Sequence, residues 1–248
     1  MIKKLKTQGI EIEYLVKGDG PPLLFVHGAM ASFRFYSRTI DLLSKRFKVY
    51  APTLPGMGKS GSLGRKVKFE SYTKAVSDLI SMEKIKPVAI GHSLGGAVIS
   101  ALAASNTKML KSIVLVNSAG LPYDNFLFRT LYGWFGGYKE FLRWNQEKGI
   151  VSKIIPWDIR NMVFRRTLDS IYLGRVLKRI DLKDEYSKIV VPTLIIWGEG
   201  DTHIPLRLGR RIKELIKDAK LETIKDAEHN WIGYRPEVLL KKLQQFLS

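Results

Sequence analysis

The chain has 248 residues and no cysteine, and its 41 lysines and arginines against 23 acidic residues leave a formal charge of +18. That length suffices for one α/β domain with an insertion and a sizeable core, and the missing cysteines exclude disulfides, thiolate metal sites and a cysteine nucleophile. The positive excess is spread from Lys3 to Lys242 without a dense block, which predicts a solvated basic surface and no nucleic-acid site.

The N-terminal Met1-Ile2-Lys3-Lys4-Leu5-Lys6 is basic but lacks the continuous apolar run and small-residue cleavage site of a signal peptide. No stretch reaches the roughly 18 apolar residues of a membrane span, so a cytoplasmic protein is expected. Ile10 to Val16 alternates as a half-buried strand does and closes on the turn-forming cluster Lys17 to Pro22. Leu23–Val26 and Phe47–Ala51 have the apolar texture of buried strands, with a helix predicted over 39–45 between them. A helix over about 71–84, a strand through Pro87-Val88-Ala89-Ile90, a helix over 94–105 and a strand over 112–116 follow. Continuous apolar strands alternating with helices predict a mostly parallel sheet covered on both faces. From Leu121 to about Glu185 aromatics and arginines recur at helical spacings with no convincing strand, which predicts an inserted helical segment. The strand rhythm returns at Pro192–Trp197, followed by a helix over 206–217, a strand over 220–225 and a last helix from Pro236. Residues 1–120 and 186–248 are thus expected to form the core domain and 121–185 a helical cap.

The chemistry centres on Gly91-His92-Ser93-Leu94-Gly95-Gly96. A serine between glycines, directly after a buried strand and before a helix, is a nucleophile elbow, because the glycines let strand and helix approach closely around a sharp turn. Leu94 opens the helix, so its N–H is an unsatisfied donor at the positive end of a helix dipole, suited to a developing oxyanion. A serine hydroxyl is a weak nucleophile and needs an imidazole base held by a third group. Of the four histidines, His27 suits a structural role in the loop after a strand, His92 should diverge from its neighbour Ser93, and His203 reads as a surface residue. His229, in the loop after the last strand, is the candidate base, since that loop should share the carboxyl edge of the sheet with the elbow. Asp201, after the penultimate strand, is the candidate orienting acid; Glu199, Asp226 and Glu228 are alternatives. The loop His27-Gly28-Ala29-Met30 should supply a second oxyanion donor, for which Ala29 is chosen.

These motifs, with Leu54-Pro55-Gly56-Met57-Gly58-Lys59-Ser60 and Trp197-Gly198-Glu199-Gly200-Asp201, resemble the α/β-hydrolase fold superfamily, in its esterase, lipase and haloperoxidase-like group, over nearly the full length. The resemblance implies a mostly parallel eight-stranded sheet with helices on both faces and a helical lid inserted after the sixth strand. It also implies Ser93 as nucleophile, Asp201 as acid, His229 as base, Ala29 and Leu94 as oxyanion donors, and no cofactor or metal. One departure is Thr53, where relatives usually carry an acid. Ser93 argues against the dehalogenase and epoxide hydrolase branches, where the resemblance would put an aspartate at the elbow.

Trp134, Phe135 and Trp157 in the insertion, with Met30 and Trp231, are candidate pocket residues for an apolar acyl chain. Arginines interleaved with those aromatics raise weak contact with an anionic membrane surface as a further expectation. The expected activity is metal-free hydrolysis of a medium-chain or monoacylglycerol-like ester through an acyl-enzyme. The alternatives are a C–C bond hydrolase of dienoic diketo acids using the same triad and, from another class, a non-catalytic binding member of the fold.

Overall fold

A computed structural model of the chain describes residues 1–122, 161 and 165–248. Its strands are β1 (Ile2–Thr7), β2 (Ile10–Lys17), β3 (Pro22–Val26), β4 (Lys48–Pro52), β5 (Val88–His92), β6 (Ser112–Val116), β7 (Thr193–Gly198) and β8 (Lys220–Ile224). They form a sheet in the order β1-β2-β4-β3-β5-β6-β7-β8, with β1 and β2 antiparallel to their neighbours and every pair from β4 to β8 parallel.

Alternation along each strand builds two cores. Leu24 and Val26 of β3, Ala89 of β5 and Ile113 and Leu115 of β6 enter one cluster, whereas Leu23, Phe25, Val88, Ile90, Val114 and Val116 enter the other, as the two-residue period of a strand requires. The first cluster is covered by α2 (Phe69–Met82), α3 (Leu94–Ser105) and α6 (Leu206–Leu215). The second is covered by α1 (Ser37–Leu43), α7 (Trp231–Tyr234) and α8 (Pro236–Leu247). Between β6 and β7, the described residues form α4 (Thr167–Leu177) and α5 (Lys183–Tyr186), and α5 packs on α3. The remainder of the expected insertion, 123–160 and 162–164, lies outside the described residues.

The strand β1 and the short helix α7 were not expected. In β1 lysines occupy three of six positions and only Leu5 and Thr7 are buried, a charged sheet edge that masks the strand's apolar period. The helix α6 ends two residues before the expected bound because Ile216 turns extended, at φ −95° and ψ 117°, with its side chain buried. No helix among the described residues is long and apolar enough to cross a membrane.

Because β3 and β5 to β8 run parallel, the loops that follow them all emerge at one edge of the sheet. Those loops begin at His27, Ser93, Asn117, Glu199 and Lys225, so the topology itself brings Ser93, Asp201 and His229 to a single rim, the usual ligand edge of a parallel sheet.

Candidate active site

Ser93 sits between β5 and α3 at φ 53° and ψ −118°, a backbone conformation that costs a non-glycine residue about 1–3 kcal/mol and persists only where the surroundings enforce it. They do so here through hydrogen bonds on both sides. The Ser93 N–H donates to the Val116 carbonyl at 3.0 Å, and the Ser93 carbonyl accepts from the N–H groups of Gly96 and Ala119, each at 3.0 Å. The turn closes only because Gly95 lacks a side chain: a Cβ there would stand 2.1 Å from the Val26 carbonyl oxygen. Leu94 opens α3, which places its amide among those a helix cannot satisfy internally.

The loop after β3 lies directly against the elbow. A Cβ on Gly28 would come within 3.2 Å of the Ser93 Cβ, and the next residues, Ala29 and Met30, are half-buried, Met30 with φ at 60°. His27 fastens this loop from within: its Nδ1–H donates to the Gly28 carbonyl at 2.7 Å, and its Nε2 accepts from the Leu54 N–H at 3.0 Å. Arg34 fastens it from outside by a bidentate pair with the Glu13 carboxylate, one arm at 2.8 Å, and the Lys59 N–H also donates to Glu13. Burial alone would raise the Glu13 carboxyl, but Arg34 and the Lys59 amide hold it below its ordinary value. An acid on β2 thus serves the segment that follows Thr53, whose own buried hydroxyl has no hydrogen-bond partner among the described residues.

Asp201 and His229 meet across the loops after β7 and β8. The His229 Nδ1–H donates to Asp201 Oδ2 at 2.8 Å, which leaves Nε2 of the neutral ring as a bare acceptor. Asp201 is held by further donors: the amides of His203 and Ile204 reach Oδ1 at 2.8 Å each, and the Asn117 side-chain amide reaches Oδ2. Burial pushes this carboxyl up, yet His229, Asn117 and the Ile204 amide together hold it below its ordinary value, so it is a fixed anion.

Several residues that sequence reasoning passed over or assigned elsewhere complete the site. Asn117, at the end of β6 with φ 42°, donates to Asp201 and uses its oxygen to accept from the Gly198 N–H at 3.3 Å and the Trp231 indole at 2.8 Å. Trp231 is therefore fully buried against the triad acid's brace. His203, read from sequence as a surface residue, stacks on His229 with ring centroids 4.6 Å apart and planes 24° apart. Burial, then the neighbouring His229, pushes its basicity down to about 3. Of the alternative acids, Glu199 accepts from the Thr223 hydroxyl, and Glu228 from that of Thr202. Trp134, Phe135 and Trp157 lie outside the described residues. Among the described residues no group of three or more His, Cys, Asp or Glu is placed to hold a metal ion.

A buried serine at the elbow with a His229–Asp201 pair on the same rim is consistent with a Ser-His-Asp triad and supports a catalytic serine hydrolase. Known proteins agree. The family model described as "Alpha/beta hydrolase family" matches residues 23–242. The pimeloyl-[acyl-carrier protein] methyl ester esterase of Wigglesworthia glossinidia brevipalpis is 26% identical over 78% of this chain and 80% of its own. The 2-hydroxy-6-oxo-6-(2'-aminophenyl)hexa-2,4-dienoic acid hydrolase of Metapseudomonas resinovorans is 22% identical over 97% of this chain and 88% of its own. The crystal structure of the enol-lactonase from Burkholderia xenovorans LB400 superposes with a TM-score of 0.84 at 21% identity, covering 99% of each chain. With 220 of its 248 residues inside the matched range, the chain belongs to the alpha/beta hydrolase family.

Proposed function

We propose that this protein hydrolyses the carboxylic ester of a small organic substrate through an acyl-enzyme on Ser93. The observation that carries this reading is the Asp201–His229 hydrogen bond at 2.8 Å, which sets the tautomer a base needs. His229 Nε2 takes the Ser93 proton as Oγ attacks the ester carbonyl, and the amides of Ala29 and Leu94 donate to the resulting oxyanion. Collapse breaks the C–O bond, with His229 returning the proton to the leaving alcohol. Water then repeats the cycle: its oxygen attacks the acyl carbonyl as His229 takes its proton, and on collapse the acyl–Oγ bond breaks, His229 returns the proton to Ser93 and the acid leaves. The finer parts of the proposal are a medium-chain or monoacylglycerol-like acyl group and weak contact of the insertion with an anionic membrane surface.

The test is hydrolysis of p-nitrophenyl esters of two to sixteen carbons by the protein and by Ser93→Ala. Turnover should fall by about 10⁴ to 10⁶ in the variant with no change in folding; near-normal activity in Ser93→Ala would end the proposal.

A second reading is C–C bond hydrolysis of a dienoic diketo acid. It is favoured by the similarity to the dienoic acid hydrolase of Metapseudomonas resinovorans. Loss of the dienoate chromophore together with inert p-nitrophenyl esters would select it.

A further inference from the structure

Hydrogen bonds connect the end of β5 with the loops after β3 and β8 in a way the triad does not use, and donor chemistry fixes the role of each atom. His92 Nε2 lies 2.8 Å from the His229 carbonyl oxygen; a carbonyl only accepts, so Nε2 carries the proton. The ring is buried, and burial followed by the neighbouring His229 pushes its basicity down to about 3. At neutral pH it therefore holds one proton, and Nδ1 is an acceptor. Facing Nδ1 at 2.8 Å is the Tyr36 hydroxyl, which must donate. The Gly28 N–H in turn donates to the Tyr36 oxygen at 3.3 Å. The result is a directed chain from the Gly28 N–H through the Tyr36 O–H and the His92 ring to the His229 carbonyl.

We propose that Tyr36 and His92 are positioning residues for the reaction, holding the base loop and the oxyanion loop in register with the elbow between them. The proposal rests on the Ser93–His229 reading above. Its warrant is where the chain begins and ends. Gly28 precedes Ala29, His92 precedes Ser93, and the terminal carbonyl belongs to His229 itself. Asp201 fixes the His229 ring through Nδ1, and His92 fixes the backbone that carries the ring. Contacts leave little slack for the oxyanion loop, since a Cβ on Gly28 would lie 3.0 Å from His92 Nδ1 and 3.3 Å from the Tyr36 oxygen. Losing the chain therefore shifts reacting groups directly, and a displacement near 1 Å costs about 10²-fold in rate.

Tyr36→Phe deletes one oxygen and keeps the ring against Phe25 and Phe35, with centroids at 5.1 and 4.9 Å. Its kcat on a p-nitrophenyl ester should fall about 10- to 100-fold with KM changed less than about threefold, and phenylboronic acid, a tetrahedral-intermediate mimic, should lose affinity by a similar factor. His92→Gln, which can still donate toward the His229 carbonyl, should keep more of kcat than His92→Leu, of comparable bulk with no hydrogen-bonding atom. Should these variants fail to fold, ¹⁵N-histidine NMR of the unaltered protein reads the same chain: His92 is expected as the neutral Nε2–H tautomer at pH 7. Wild-type kcat and boronate affinity in Tyr36→Phe, a lowered melting temperature alone, or an Nδ1–H tautomer at His92 would each overturn the proposal. Turnover retained by Ser93→Ala would instead overturn the triad reading on which it stands.

Discussion

Three of the four histidines are held neutral by their surroundings. His27 lies inside the loop after β3 and is pushed down to about 4, chiefly by burial and only partly offset by the Gly28 carbonyl and Glu13. His92 and His203 are each brought to about 3, by burial and then by His229. These values lie below the ordinary 6.5, so the unfolded chain binds protons that the folded chain refuses. Stability from these groups is full above pH 6.5 and is lost as pH falls toward 4 and 3, at about 1.4 kcal/mol per pH unit for each fully buried ring. His27 and His92 together should cost roughly 3–4 kcal/mol between pH 7 and 5. Asp201 and Glu13, both held below their ordinary carboxyl values, lose their contributions only at lower pH. Thermal unfolding followed at pH 7, 6 and 5 should show a steady fall in melting temperature; a flat profile would mean that these rings are not buried neutral. None of these partnerships was legible in the sequence. His92 meets residues 56 and 137 positions away, and His203 reaches His229 only because β7 and β8 pair in parallel.

At the scale of elements, the elbow is the most constrained join in the fold. Gly95→Ala would drive a Cβ to 2.1 Å from the Val26 carbonyl oxygen and 2.8 Å from that of His27, both backbone atoms that cannot rotate away. The variant should lose about 3 kcal/mol or more and, where it folds, most of its turnover. Gly174 in α4 is the opposite case, since a Cβ there would meet nothing within 4 Å among the described residues. Gly174→Ala should stabilise by up to about 1 kcal/mol through helix propensity, and differential scanning calorimetry of the pair reads both signs. The elbow was legible because its demands are local: glycine spacing, a buried strand before it and an apolar helix after it. Helix α3 spans Leu94–Ser105 and β6 spans Ser112–Val116, the bounds expected from sequence. The edge strand β1 was not legible, since its lysines face solvent at a sheet border and only its pairing with β2, Ile2 opposite Leu15 through Thr7 opposite Ile10, makes it a strand.

The whole molecule turns local motifs into a site by running β3 and β5 to β8 in one direction. Elbow, acid and base are 108 and 28 residues apart in the chain, at positions 93, 201 and 229, yet all follow strands that end on the same rim. That arrangement was readable from the alternation of apolar strands with helices, because a parallel sheet allows the loops after its strands no other edge. What stayed hidden is the support behind the rim: Asn117 bridging Asp201 to Trp231, Glu13 and Arg34 bracing the loop after β3, and Tyr36 and His92 tying the loops after β3 and β8 to the end of β5. These depend on the register of distant strands and carry no spacing signature. Whether this rim activates Ser93 as a nucleophile is read out by intact-mass spectrometry after fluorophosphonate treatment, with the adduct mapped by peptide. One adduct per chain is expected, on Ser93, together with loss of ester hydrolysis. An adduct on another residue, or full ester turnover in protein whose Ser93 is quantitatively labelled, would refute that activation.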